Sequence, residues 1–152
     1  MLPSPPSADS SLFPLTIADS RGRDMVLESA PQRIVLLDAA GVEMLFAMGH
    51  QDQIVATHDF VDYPPDTVNI ERIGSAFALN MEHIVDLHSD LVYTFFESPV
   101  NDLEALGLNV LYLEEPTTLE GIAERIRLWG EIVGDPHAAE LVAADYETRL
   151  AA

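Results

Sequence analysis

The stretch that decides the fold is "RIVLLDAAGVEMLFAMG", which runs from Arg33 to Gly49. It begins with a continuous apolar run of strand length, which is typical of a parallel strand covered on both faces. It continues with apolar residues at helical spacing, and Gly49 is a natural stop for a helix. The stretch therefore predicts a buried strand followed directly by a helix.

The same alternation continues towards the carboxyl terminus. Further apolar runs predict strands at Gln53–His58, at Asp90–Phe96 and in "NVLYLEE", and the helical segments between them are "NMEHIVDLH", with Asn80 as its N-cap, and "PVNDLEALG". Alternating strands and helices imply a parallel sheet with right-handed crossovers. We therefore predict an α/β fold, a Rossmann-like lobe over residues 14–116 with a central parallel sheet flanked by helices.

Two different segments lie upstream of this lobe's first buried strand. Residues 1–13 are rich in proline and serine, which predicts a flexible tether. "MLPSPPSADSS" has neither the basic start nor the apolar centre of a signal peptide, so it is typical of a mature exported segment or of a short cytoplasmic tail. "FPLTIADSRGRDMVLES" alternates around a turn at Gly22, which predicts an N-terminal β-hairpin.

The end of the chain is predicted to be helical over residues 117–152. Thr117 and Glu120 have the spacing of a capping box, and an apolar stripe follows them. Gly134 interrupts the stripe, and Asp135 can cap the segment that continues. We expect one long and nearly continuous helix, with no further strand after it.

The composition excludes several classes of function. The net charge is −19, and all seven basic residues are arginine, so the surface repels phosphate backbones and anionic lipid. There is no cysteine, which excludes disulfides and thiolate metal sites. No apolar run approaches the roughly 20 residues that a membrane span needs.

The sequence shows no catalytic constellation. It contains neither a glycine-rich phosphate loop nor a G-x-S-x-G nucleophile turn, so we predict a protein that is not an enzyme and has no covalent cofactor. His58, Asp59 and Asp62 could hold a metal ion. The alternative is a solvated acidic loop, because this spacing matches no standard metal-binding loop.

The aromatic residues are more informative. "HDFVDYPPD", at 58–66, is a loop that its two prolines stiffen. Phe60, Phe77, Phe95 and Phe96 all fall at or just after predicted strand ends, where ligands of open α/β sheets bind. Rigid aromatic side chains at that edge form an apolar wall for a large ligand. The alternative for each is ordinary core packing.

Several blocks of the sequence resemble a known family. "PQRIVLLDAAGVEMLFAMG", "HDFVDYPPDTVNIERIG", "LNMEHIVDLHSDLVYTF", "LEALGLNVLYLE" and "TTLEGIAERIRLWGEIVG" stand in the order found in the substrate-binding proteins of ABC importers for vitamin B12, haem and ferric siderophores. The similarity runs from about Leu15 to Leu150. The "DYPP" motif is most similar to the B12-binding branch, although that branch has a tryptophan where this chain has Ala76.

This resemblance implies two α/β lobes joined by a long backbone helix, with a non-covalent ligand between the lobes. The present sequence matches the first lobe and most of the linking helix, 117–152. The implied ligand is a corrinoid or an iron chelate. The residues implied to face it are Phe60, Ser75, Ala76, Phe77, Phe95 and Phe96.

The resemblance also implies partners. Glu82 aligns with a glutamate that docks on arginines of a membrane permease, which implies a periplasmic or extracellular location. An alternative is a single-lobe interaction or sensor protein that dimerises through an exposed helix, with a second copy covering Trp129. A third hypothesis remains the metal-ion binder at His58.

Overall fold

A parallel sheet forms the centre of the molecule. The computed structural model describes residues 9–75 and 77–151. Its strands are β1 (Leu15–Ala18), β2 (Asp24–Leu27), β3 (Ile34–Leu37), β4 (Ile54–Thr57), β5 (Glu71–Arg72), β6 (Gly74–Ser75), β7 (Ala78–Leu79), β8 (Leu91–Thr94) and β9 (Val110–Tyr112). Its α-helices are α1 (Ala39–Ala47), α2 (Met81–Asp86), α3 (Val100–Ala105), α4 (Leu119–Val133) and α5 (Pro136–Ala151).

The central sheet has the strand order β5-β4-β3-β8-β9, and every pair in it is parallel. All four residues of β3 are buried, because helices cover both faces of the sheet. The α/β prediction is confirmed. Strand β5 was not predicted, because its two polar residues carry no apolar run.

The two faces of the sheet carry separate apolar cores. One core lies beneath α1, α4 and α5 and contains Leu36, Leu45 and Trp129, whereas the other lies beneath α2 and α3. Trp129 is fully buried against Tyr93, with 4.7 Å between the ring centroids. The alternative in which a second copy covers Trp129 is therefore wrong for this residue, because the chain covers it by itself.

The amino-terminal hairpin is confirmed. Strands β1 and β2 pair antiparallel, and Gly22 in the turn has a φ of +79°, which glycine adopts at no steric cost. Residues 9–13 of the predicted tether make defined contacts. Ser10–Leu12 form a 3-10 turn, and the backbone N–H of Asp9 donates to the carbonyl of Gly134 over 2.8 Å. The rest of the tether, residues 1–8, lies outside the described residues.

The carboxyl-terminal segment is a pair of helices. The N-cap of α4 is Thr118, whose hydroxyl accepts from the N–H of Gly121, so the capping box predicted from Thr117 is wrong. Gly134, with a φ of +75°, ends α4, and the carboxylate of Asp135 accepts from the N–H of Ala138 at the start of α5. The chain ends in a long helix, as predicted, but that helix is α5 and not a continuous segment through 117–152.

Helices α4 and α5 pack side by side in opposite directions. A Cβ at Gly130 would overlap the Cβ of Ala139, so glycine permits the close approach of the two helices. The Arg127 guanidinium donates to the carboxylates of Glu140 and Glu147 across the same interface. Because α4 leaves the carboxyl edge of the sheet, α5 returns to that edge. In the part of the chain described, none of the helices has both the length and the apolar character that crossing a membrane takes.

Candidate functional site

The carboxyl edge of the sheet gathers most of the predicted site residues. All strands of the central sheet are parallel, so the loops after β3, β4, β5, β8 and β9 emerge on one side. Phe60 follows β4, and Phe95 and Phe96 follow β8, which ends at Thr94 and not at the predicted Phe96. Phe77 lies in the turn between β6 and β7. Ala76, which was predicted to stand beside it, lies outside the described residues.

Phe60 and Phe77 project into solvent. The side chain of Phe60 is 68% exposed and that of Phe77 is 92% exposed. Large apolar residues at this exposure contribute little to the core, so ordinary core packing does not explain either one. Ser75, in β6, is half-buried and pairs with Ala78 of β7. Both side chains are therefore accessible from outside the lobe.

Phe95 and Phe96 form a second aromatic element. Their rings meet edge to face with 5.0 Å between centroids, and both are half-buried. The buried hydroxyl of Thr94 accepts from the N–H of Phe96 and donates to its carbonyl oxygen. These two hydrogen bonds fix the backbone of the turn after β8 that carries the aromatic pair.

The loop that carries Phe60 is anchored by a buried residue before Phe60 and by another after it. Val61 is 2% exposed and inserts into the core, and His58 is buried. The Nδ1 atom of His58 accepts from the N–H of Phe60 over 3.1 Å. Burial lowers the pKa of His58, and the Arg72 charge lowers it further against the opposing effect of Asp59. A neutral imidazole suits this contact, because a protonated Nδ1 has no lone pair to accept with.

The metal hypothesis gains no support from geometry. Asp59 and Asp62 are exposed, while one ring nitrogen of His58 is engaged by the backbone. Within residues 9–75 and 77–151, no group of three or more His, Asp or Glu side chains is placed to hold a metal ion.

Glu82 lies in the first turn of α2, and its side chain is exposed. The Asn80 side chain caps this helix by accepting from the N–H of His83, as predicted. Helix α2 leads back from the carboxyl edge to the start of β8, so Glu82 stands near the same edge as the aromatic residues. A carboxylate at a helix N-terminus is also favoured by the helix dipole.

A cleft beside this edge was not predicted from the sequence. It encloses about 530 Å³ between α1, α4 and α5, a volume in the range of small-molecule sites. Its walls include Glu43, Met44, Tyr63 and Tyr146. The lining comes from segments more than a hundred residues apart, so no local pattern could indicate it.

A buried carboxyl lies in this cleft. Asp38 is 4% exposed and caps α1 by accepting from the N–H groups of Ala40 and Gly41. Burial raises the pKa of Asp38 to about 7, and a hydrogen bond with Glu115 and the repulsion of its charge act in the same direction. Near neutral pH the Asp38 carboxyl is therefore protonated in part of the molecules, and in these it is a hydrogen-bond donor.

An arginine crosses the floor of the cleft. Arg125 donates to the hydroxyl of Tyr93 over 2.6 Å and to the carbonyl of Glu114 over 2.9 Å. Burial raises the pKa of Tyr93, so its hydroxyl stays neutral. The cleft thus combines apolar walls with a few oriented polar groups.

Comparison with known proteins places these features in context. The family model for periplasmic binding proteins matches residues 34–152. The vitamin B12-binding protein of Photorhabdus laumondii is 29% identical over 129 residues, which are 82% of this chain and 46% of that protein. The cobalamin-binding protein of Halobacterium salinarum is 28% identical over 145 residues, which are 92% of this chain and 39% of that protein.

A solved structure shares the fold. The periplasmic vitamin B12-binding protein BtuF of Vibrio cholerae superposes with a TM-score of 0.70 at 27% sequence identity, over 80% of this chain and 49% of that one. The proteins compared here are binding proteins by name. The chain spans less than half the length of each of these three relatives.

Proposed function

This chain belongs to the periplasmic binding protein family, and from that premise we propose that it is the first lobe of the substrate-binding component of an ABC importer. It captures a bulky metal chelate without chemical change and delivers it to a membrane permease. The observation that carries this proposal is the pair of exposed phenylalanines, Phe60 and Phe77, on loops at the carboxyl edge of the sheet.

A corrinoid is the chelate that these features favour, and a ferric siderophore is the alternative. Two relatives that match most of this chain are named for vitamin B12 and cobalamin. A large macrocycle suits aromatic walls, because rigid aromatic rings supply contact area at little conformational cost. The half-buried pair Phe95 and Phe96 supplies a second wall at the same edge.

Delivery to a permease is proposed through Glu82. Its carboxylate is exposed and lies near the carboxyl edge of the sheet, so a partner that contacts it also faces a ligand bound at that edge. The matching location is the periplasm or the outer face of the cell membrane. A homodimer remains an alternative, but the burial of Trp129 removes the surface that first suggested it.

The proposed function is tested by native mass spectrometry of the chain with cobalamin, cobinamide, haem and a set of ferric siderophores. We expect a mass increase for one chelate, bound one to one. The variant Phe60→Ala should weaken that binding by about 1 kcal/mol or more, as expected of an aromatic anchor. Val26→Ala, which truncates an exposed apolar side chain on the distant hairpin, is the matched control. Equal affinity of the two variants would remove Phe60 from the site.

A further inference from the structure

We propose that Arg72 is a positioning residue for the aromatic loops at the carboxyl edge of the sheet. Its guanidinium holds the loop that carries Phe60 in a fixed relation to the β6–β7 hairpin that carries Phe77. The role in ligand binding rests on the proposed function, whereas the role in holding the loop does not.

The guanidinium donates hydrogen bonds to three backbone carbonyls of one loop, and these three bonds together form a clasp. Its Nη1 donates to the carbonyl oxygens of His58 over 3.0 Å and of Val61 over 2.7 Å, and its Nη2 donates to that of Thr67 over 2.7 Å. These acceptors stand at the beginning, near the middle and at the end of the proline loop, residues 58–67. A single side chain therefore closes the loop along its whole length.

The exposed aromatic side chains of the loop do not hold its shape. The side chains of Phe60 and Tyr63 are 68% and 61% exposed, so they do not pack the loop against the core. Val61 supplies the apolar anchor, and His58 binds the N–H of Phe60. The carbonyls of these two anchor residues are the ones that Nη1 of Arg72 binds, so the clasp secures the backbone on either side of Phe60.

The backbone of Arg72 belongs to the other aromatic segment. Arg72 pairs with Thr57 in the sheet, and the N–H of the next residue, Ile73, donates to the carbonyl of Thr57. The chain then enters β6 at Gly74, whose carbonyl accepts from the N–H of Asp59 over 2.9 Å. Arg72 thus joins the two segments, by its backbone on one side and by its side chain on the other.

Arginine is suited to this role in a way that lysine is not. The guanidinium presents donors from two nitrogens in a fixed plane, whereas an ammonium presents all of its donors from one point. A lysine at position 72 would keep a contact with part of the loop and lose the rest. The substitution Arg72→Lys therefore tests the geometry of the clasp while it keeps the charge.

The first experiment measures amide hydrogen exchange in the ligand-free chain. We expect the amides of Phe60 and Thr67 to exchange at least about tenfold faster in Arg72→Gln and in Arg72→Lys, because both amides lie in the loop and neither bonds to Arg72 itself. The amide of Val92, in the sheet, should not change. Unchanged exchange at Phe60 and Thr67 in a folded Arg72→Lys variant would overturn the proposal.

The matched control is Arg33→Lys. Arg33 also clasps a carbonyl, since its Nε and Nη2 both donate to Leu87, but it stands at the opposite end of the sheet. This variant should leave the exchange of the proline loop and the affinity for the chelate unchanged. Faster exchange of the loop in Arg33→Lys would mean that general destabilisation is the cause, and it would also overturn the proposal.

The second experiment is a double-mutant cycle on cyanocobalamin affinity. Arg72→Lys should raise the dissociation constant about tenfold, and adding Phe60→Ala should raise it by much less than the product of the single effects, because Arg72 acts through Phe60. Fully additive effects would contradict this linkage. If the unchanged chain binds none of the tested chelates, the proposed function fails, while the exchange result still decides whether Arg72 fixes the loop.

Discussion

Replacing Asp38 by asparagine should make the protein more stable at alkaline pH and leave it nearly unchanged at acid pH. Asparagine is as good an N-cap as aspartate, so the cap of α1 survives. It also carries no charge that burial would penalise. In addition, its amide can donate to Glu115 as the protonated carboxyl of Asp38 does.

The size of the effect follows from the shift in pKa. The pKa of Asp38 rises from 3.8 to about 7 on folding. The folded state therefore keeps a proton that the unfolded state has lost, so stability falls as the pH rises from about 4 to about 7. Some 3 pH units correspond to about 4 kcal/mol as an upper limit. Relaxation around the charged carboxylate recovers part of this cost, and we expect a gain of about 2–4 kcal/mol for Asp38→Asn at pH 8.

The assay is urea unfolding followed by the fluorescence of Trp129, the single tryptophan. The free energy of unfolding is compared between Asp38→Asn and the unchanged chain at pH 4 and at pH 8. Asp135→Asn should change the free energy of unfolding in the opposite direction. Burial opposes the charge of Asp135, but hydrogen bonds from His50 and from the N–H of Ala138 outweigh it and lower the pKa. Its replacement should destabilise the chain at pH 8 and matter less as the pH falls below 3.8.

A gain for Asp38→Asn that is the same at both pH values would refute the argument. It would mean that the substitution acts through packing and not through the proton that the Asp38 carboxyl keeps in the folded state. A loss of stability at pH 8 would show that the charged carboxylate is favoured in the folded state.

Three further predictions concern the loop, the helix pair and the docking residue. The pKa of His58 is lowered on folding, so His58 costs stability as the pH falls below 6.5. His58→Asn should reduce the loss of unfolding free energy between pH 8 and pH 5, measured by urea unfolding. An unchanged loss would contradict this. Gly130→Ala should destabilise the chain by about 1–3 kcal/mol, because its methyl group overlaps Ala139, and calorimetry should show a lower Tm; equal Tm values would argue against close packing. Glu82→Arg should abolish chelate uptake by cells without altering the chelate Kd. Glu120→Arg, at another exposed helix start, should leave both the uptake and the Kd unchanged. Normal uptake in Glu82→Arg would exclude docking through Glu82.

Much of the fold could be predicted from the sequence because its signals are local. The apolar run ending at Leu37 and the helical spacing after it specify a strand and a helix within one short stretch. The hairpin around Gly22 and the N-cap at Asn80 are equally local, and both were confirmed. The placement of Phe60, Phe95 and Phe96 at one edge then follows from parallel strand order alone.

The features that could not be predicted depend on contacts between distant residues. The cleft joins Asp38 to Tyr146, and nothing near Asp38 in the sequence indicates that its carboxyl is buried beside Glu115. The fold-back of α5 was missed because a glycine can either interrupt a helix briefly or reverse the chain. Which of these occurs depends on whether Gly130 can approach Ala139, and that contact is visible only in three dimensions.

The hydrogen bond between Asp9 and Gly134 fixes residue 9 at one of the two ends, or poles, of the molecule. Gly134 lies where α4 ends and α5 begins, opposite the carboxyl edge of the sheet, so residue 9 is fixed at the pole remote from Phe60 and Phe77. A chain immobilised on a bead or a sensor surface through the residue-9 side would point its aromatic loops towards the bulk solution. Attachment near residue 151 would instead bring the support up against the cleft, so the same protein should report different on-rates according to which pole is held.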